Sequence, residues 1–133
     1  MIRIIKLGNT IYENIEAKEI DGQGNEIWNV PNDVVQLKKA LSDTLAWLAK
    51  QRVNSILDQY QYNGLADVQI YASQNDQEAQ TLLDWYSTYD NLIWSYIDND
   101  LAAFQTVDEL LQIDMKNIEQ QIYEQSIQTS PLP

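Results

Sequence analysis

Carboxylates and a dense group of aromatic rings are the side chains through which this sequence can act, because it contains no cysteine and no histidine. That composition removes thiol nucleophiles, thiolate and zinc sites, disulfides and the usual general base near neutral pH. A serine triad has no imidazole to build on, and a Ser-Lys pair has no supporting context. Among the acids, Asp84 and Asp90 stand six residues apart in a helical stretch, so they point to different faces and do not share a substrate. Asp98, Asp100 and Glu109 occupy the relative positions one, three and twelve of a calcium loop. Ala102 and Ala103 stand where a ligand and the turn glycine belong, so helix-end solvation accounts for these acids better than a metal does. Asp21, Gln23 and Asn25 surround Gly22 and Gly24, which is turn chemistry. No lysine followed by Ser or Thr succeeds those glycines, so they do not open a phosphate loop. No catalytic, cofactor-binding or metal-binding residue is assigned.

The aromatic group is Trp85, Tyr86, Tyr89, Trp94 and Tyr96. Base stacking on such rings needs neighbouring Arg or Lys, and none occurs between Val53 and Met115. The rings therefore form core, or a contact surface for another protein, on different faces of one helix. Trp85, Tyr89, Trp94 and Tyr96 are the candidate partner-contact residues.

Charge is divided unevenly along the 133 residues, whose net charge is −12. Through Arg52 seven bases balance seven acids; from Val53 onward thirteen acids face the single base Lys116. Such a surface repels phosphate backbones and disfavours direct nucleic-acid binding. It suits solubility, a basic protein partner, or mimicry of a nucleic acid. No apolar run reaches the length of a membrane span, and Met1 to Lys6 lacks the pattern of a signal peptide. The expected location is the cytoplasm in which the chain is made, or a particle assembled there.

The elements that must position these residues change character near Pro31. Before it, Ile2 to Leu7, Thr10 to Ile20 and Glu26 to Val30 read as strands, separated by Gly8-Asn9 and by the Asp21–Asn25 loop. They predict a three-stranded antiparallel meander over residues 1–30, which needs helices or another subunit to pack on. After Pro31 the apolar period becomes helical: Val34, Leu37, Leu41, Leu45 and Leu48, then Val53, Ile56, Leu57 and Tyr60. Asn32 or Asp33 caps this helix, and Gly64 is expected to close it in a left-handed conformation. A short helical segment spans Leu65 to Ser73. Asn75 with Glu78 predicts the start of a second long helix, Thr106 with Glu109 a capping box, and Asp114 the cap of the last helix. Leu82, Tyr86, Tyr89, Ile93 and Ile97, flanked by Trp85, Leu92 and Tyr96, make an apolar arc too wide for a half-exposed helix on a monomer. Residues 31–128 thus form a helical bundle, and residues 129–133 an unstructured tail. The predicted fold class is α+β, in one compact unit.

The segment Tyr62-Asn63-Gly64, Tyr71-Ala72-Ser73, Glu78-Ala79-Gln80, Trp85, Ile93-Trp94-Ser95-Tyr96 resembles small proteins encoded beside tail-fibre genes in tailed bacteriophages and prophages. Those proteins carry a Gly-Tyr-Asp-like turn, a Tyr-Ala step and a Glu-Ala-x-x-Leu-x-x-Trp helix ending in Val-Trp-x-Tyr. A Pro/Thr-x-x-Glu-Leu helix closes the pattern, here Thr106 to Leu111. The likeness spans Ala46 to Leu111, about half the chain. Tyr86-Ser87 stands where such proteins often have Arg-Asp, and the strand-rich start lies outside the pattern. The resemblance implies a non-enzymatic tail component or fibre-assembly helper, acting in the host cytoplasm during assembly or within the virion tail. It brings a tail-fibre or baseplate partner, self-association, and no cofactor. The competing expectation is an acidic phage-encoded decoy that inhibits a host defence protein.

Overall fold

The computed structural model describes residues 1–133 and is α+β, with strands confined to the first thirty residues and helices after them. Strands β1 (Ile2–Leu7) and β2 (Thr10–Ile15) pair antiparallel from Ile2↔Ile15 to Leu7↔Thr10. Gly8 supplies the positive φ of 61° at the first position of their two-residue turn, which a side-chain-bearing residue adopts only with strain. The predicted three-stranded meander is corrected here: β3 (Lys18–Ile20) and β4 (Glu26–Trp28) form a separate two-stranded sheet. The reason is local. Asn14 takes a left-handed φ of 55°, the ladder ends at Ile15, and the chain bends before Lys18, so Thr10 to Ile20 is not one strand. Asp21 then nucleates the predicted turn, one of its carboxylate oxygens accepting from the Gln23 and Asn25 amides at 2.8 and 2.9 Å. Those amide donors hold its carboxyl below the usual range.

The two hairpins differ in anchorage. β1 lies against the first and last long helices, and Ile2, Ile4 and Ile5 are all buried. Its Lys6 amide donates to the buried Thr44 Oγ1 at 2.8 Å, so a helix satisfies the outer edge of the strand. The β3–β4 hairpin reaches the core through the half-buried Trp28 but packs extensively against no other element.

Helix α1 (Val34–Gln59) begins at Asp33, whose carboxylate accepts from the Gln36 amide at 2.9 Å. Leu37, Leu41, Leu45, Ile56 and Leu57 bury its core face. It ends in a Schellman motif at Gln61 (φ 66°), not at Gly64: the Tyr62 amide donates to Leu57 O and the Gln61 amide to Asp58 O, both at 3.0 Å. Gly64 instead precedes α2 (Leu65–Ser73). The same motif ends α2, with Asn75 in the left-handed position (φ 65°). Asn75 therefore closes one helix, and Asp76 caps the next by accepting from the Ala79 amide at 2.9 Å.

Helix α3 (Gln77–Ser95) continues into a π-helical turn, Tyr96–Leu101, which buries Leu101. Thr106 caps α4 (Val107–Leu111) by accepting from the Glu109 amide at 3.1 Å. Its hydroxyl, in place of the backbone amide of the predicted capping box, donates to the Glu109 carboxylate. Asp114 caps α5 (Met115–Thr129). Helices α1, α3 and α5 enclose the core, with no helix long and apolar enough to cross a membrane. Residues 129–133 lack regular structure beyond Thr129 but are not loose. Leu132 packs on the core, and the Tyr60 hydroxyl donates to Pro133 O at 2.9 Å.

Candidate protein-contact site

Helix α3 carries the aromatic group, and its period sorts the rings. Leu82, Trp85, Tyr89 and Ile93 recur at three- and four-residue steps and are buried. Trp85 and Tyr89 are 0% and 1% exposed, which removes both from the set of partner-contact residues. They stack on each other at 5.3 Å with an interplanar angle of 17°, and Trp85 meets the Tyr123 ring edge-on. Trp85 Nε1 donates to the Ser126 hydroxyl at 2.9 Å, which in turn donates to Tyr123 O.

Beneath these rings lies a polar network that joins three helices. Arg52 of α1 grips Glu119 of α5 through two hydrogen bonds, Nε to Oε2 at 3.0 Å and Nη2 to Oε1 at 2.8 Å. Tyr89 of α3 donates its hydroxyl to the same Oε2 at 2.8 Å. The Arg52 guanidinium also donates to Gln120 and lies 4.0 Å over the Tyr123 ring. Burial pushes the Tyr89 phenol well above its ordinary value, with the Glu119 carboxylate adding to the shift and Arg52 opposing it. Hydrogen bonding to Glu119 raises the Arg52 pKa in turn. Acid and base here are fixed on each other, and no buried polar side-chain atom lacks a partner. The network holds helices together and offers no free proton donor or acceptor at neutral pH.

The sequence reading missed this pair, although a signal was present. Met115, Glu119, Ile122 and Ser126 share one stripe of α5, so Glu119 sits at a core position and requires a cation.

The opposite flank of α3 is open. Between α1 and α3, with Leu65 of α2 at one side, runs a groove of ≈ 310 Å³. Ala46, Ala49 and Val53 line the α1 wall; Tyr86, Ile93 and Trp94 line the α3 wall. Lys50 and Asn54 of α1 and Tyr89 and Asp90 of α3 also line it, so that Lys50 and Asp90 stand one on each wall. Trp94 is 47% exposed, while Tyr96 is half-buried, its phenol raised by burial and then by Asp100. Of the four candidate contact residues, Trp94 and in part Tyr96 are thus the ones that reach the surface. Burial and then Asp90 also raise the Tyr86 phenol.

Comparison with protein-family models, curated proteins and solved structures gives no match. The site therefore stands on geometry alone. Asp84 is exposed, Asp98 and Asp100 lie on the exposed π-helical turn, and Glu109 serves the cap of α4. No three metal-ligating side chains converge. Two further exposed apolar side chains stand on the β3–β4 hairpin, where Ile20 is 61% and Ile27 47% exposed. The register places Ile20 opposite Glu26 and Ile27 opposite Glu19, so the two isoleucines occupy opposite faces.

Proposed function

We propose that this chain is a non-catalytic adaptor or assembly protein of a phage tail, joining a tail-fibre or baseplate protein through protein–protein contacts. The observation that carries the reading is the exposure of large apolar side chains in two separate regions, Trp94 at the α1–α3 groove and Ile20 and Ile27 on the two faces of the hairpin. Exposed tryptophan in an apolar setting is typical of binding hot spots. A hairpin that meets the core through little more than Trp28 gains stability when a partner covers it. The tail assignment rests on the resemblance of residues 46–111; the contact role rests on the surfaces. The acidic second half suits a basic partner.

The decoy reading draws less support. It needs carboxylates spaced like phosphates along one strip. Of the thirteen acids after Arg52, Asp67, Asp76, Glu109, Asp114, Glu119 and Glu124 are already bound to groups of this chain, at separate places in the fold.

Co-expression of the tagged chain with each fibre and baseplate protein of its own phage tests the proposal. One of them is expected to co-elute, and the variant Ile20→Asp with Ile27→Asp to lose it while keeping its helical circular dichroism. Failure of every tail protein to associate, together with absence of the chain from purified assembly intermediates, removes the tail reading.

A further inference from the structure

The groove between α1 and α3 has a symmetry that the hairpin lacks. Lys50 and Asp90 stand on opposite walls, and neither forms an ion pair within the chain. Each sits at the middle of the stretch its helix contributes, residues 46–54 from α1 and 86–94 from α3. A groove with one sign of charge on both rims repels a copy of itself. This one carries a positive centre on one wall and a negative centre on the other, which is self-complementary.

We propose that a second copy of this chain closes the groove in a two-fold arrangement, with Lys50 of each copy against Asp90 of the other. A two-fold axis through the centre of the groove lays the α1 wall of one copy over the α3 wall of its partner. Both charge pairs then form at once, because both residues are central. The same operation carries each Trp94 toward the partner's Ala46 and Ala49, so the largest exposed ring of the groove meets its smallest side chains. Size matching of this kind lets an aromatic anchor bury its area without displacing backbone. The inference rests on the reading of these apolar regions as contact surfaces, and it divides them: the groove serves self-association, and the hairpin stays free for the tail partner.

The dimer is a weak one. The groove is lined by 11 residues, fewer than the roughly 20–30 per side of a stable interface. Two copies each carrying −12 also repel until salt screens them. A dissociation constant on the order of 10 µM at about 0.15 M salt is expected.

Sedimentation equilibrium of the full chain at that salt, over a wide concentration range, supplies the test. Lys50→Glu alone and Asp90→Lys alone are each expected to weaken dimerisation about tenfold or more, by setting like charges opposite each other. The chain carrying both substitutions regains self-association to within about threefold of the original, since the swap restores both pairs. Trp94→Ala weakens it independently, and circular dichroism melts confirm that each variant is folded. A monomer at all concentrations overturns the proposal, as does a dimer that the single substitutions leave unchanged or the double substitution fails to restore. A monomeric chain that still captures a tail protein defeats the dimer and leaves the adaptor reading standing. A dimer obeying the charge swap, with no tail protein bound, does the reverse.

Discussion

Helix α3 has two seams, and they are built differently. Toward α5 it closes over Trp85, Tyr89 and the Arg52–Glu119 pair, with every buried polar atom satisfied. Toward α1 it shares the core but closes incompletely, leaving a groove with Trp94 at its edge. The same residue type serves opposite purposes on one helix because Trp85 and Trp94 are nine residues apart, about 180° around the axis. The wide apolar arc of α3 thus has two destinations, one inside the chain and one outside it.

Substitutions on the closed seam are expected to cost most. Trp85→Ala removes a fully buried ring and its hydrogen bond to Ser126, and lowers unfolding stability by about 3–5 kcal/mol. Chemical denaturation measures this, and a loss under about 1 kcal/mol would mean that the seam is not the core.

Arg52→Ala comes next, because it strands Glu119, whose side chain is 8% exposed. The cost is about 2–3 kcal/mol, reduced from the fully buried case by the partial exposure of Arg52. Replacing both partners in a Tyr89→Phe background, Arg52→Met with Glu119→Leu, leaves no buried hydroxyl without an acceptor and recovers most of that loss. Equal damage from the single and the double variant would contradict the role given to the buried charge.

Alkaline pH probes the same seam through Tyr89. Its folded pKa lies above the ordinary value of 10.0, so the folded chain keeps a proton that the unfolded chain releases. Its contribution is complete below pH 10 and is lost as pH climbs from there toward the folded value. The slope approaches about 1.4 kcal/mol per pH unit for this one group. Tyr89→Phe is expected to flatten the high-pH decline, and melts at pH 8 to 11 show whether it does.

Asp76→Ala, which removes the cap of α3 without touching either seam, costs about 1 kcal/mol. On the open seam Trp94→Ala shifts the stability of the monomer by less than about 0.5 kcal/mol. A large loss there, measured in dilute solution, would show that the groove is interior packing after all.

Much of the architecture was legible locally. Asp33, Thr106 and Asp114 cap helices where the sequence places them, and the change of period after Pro31 marks the passage from strands to helices. Where local reading erred, two devices competed for the same residues. Asn75 suits an N-cap and a left-handed helix end equally well, and Asp76 next to it decided the outcome. Thr10 to Ile20 reads as one strand, but its ladder ends at Ile15, just after a left-handed Asn14, and the chain bends at Ala17 before the next strand. In the candidate site, the helical period already sets Trp94 on the other side of α3 from Trp85, but which of the two faces is buried required knowing which helices cover α3.

The sequence by itself determined the fold class, most helix boundaries and the absence of thiol and imidazole chemistry, because these depend on bonds and periods spanning a few residues. Only the tertiary structure paired Arg52 with Glu119 across 67 positions, detached the second hairpin from the first, and left one flank of α3 uncovered. Those outcomes depend on which surfaces meet when the helices pack, and apolar periodicity marks a face for burial without naming what will bury it.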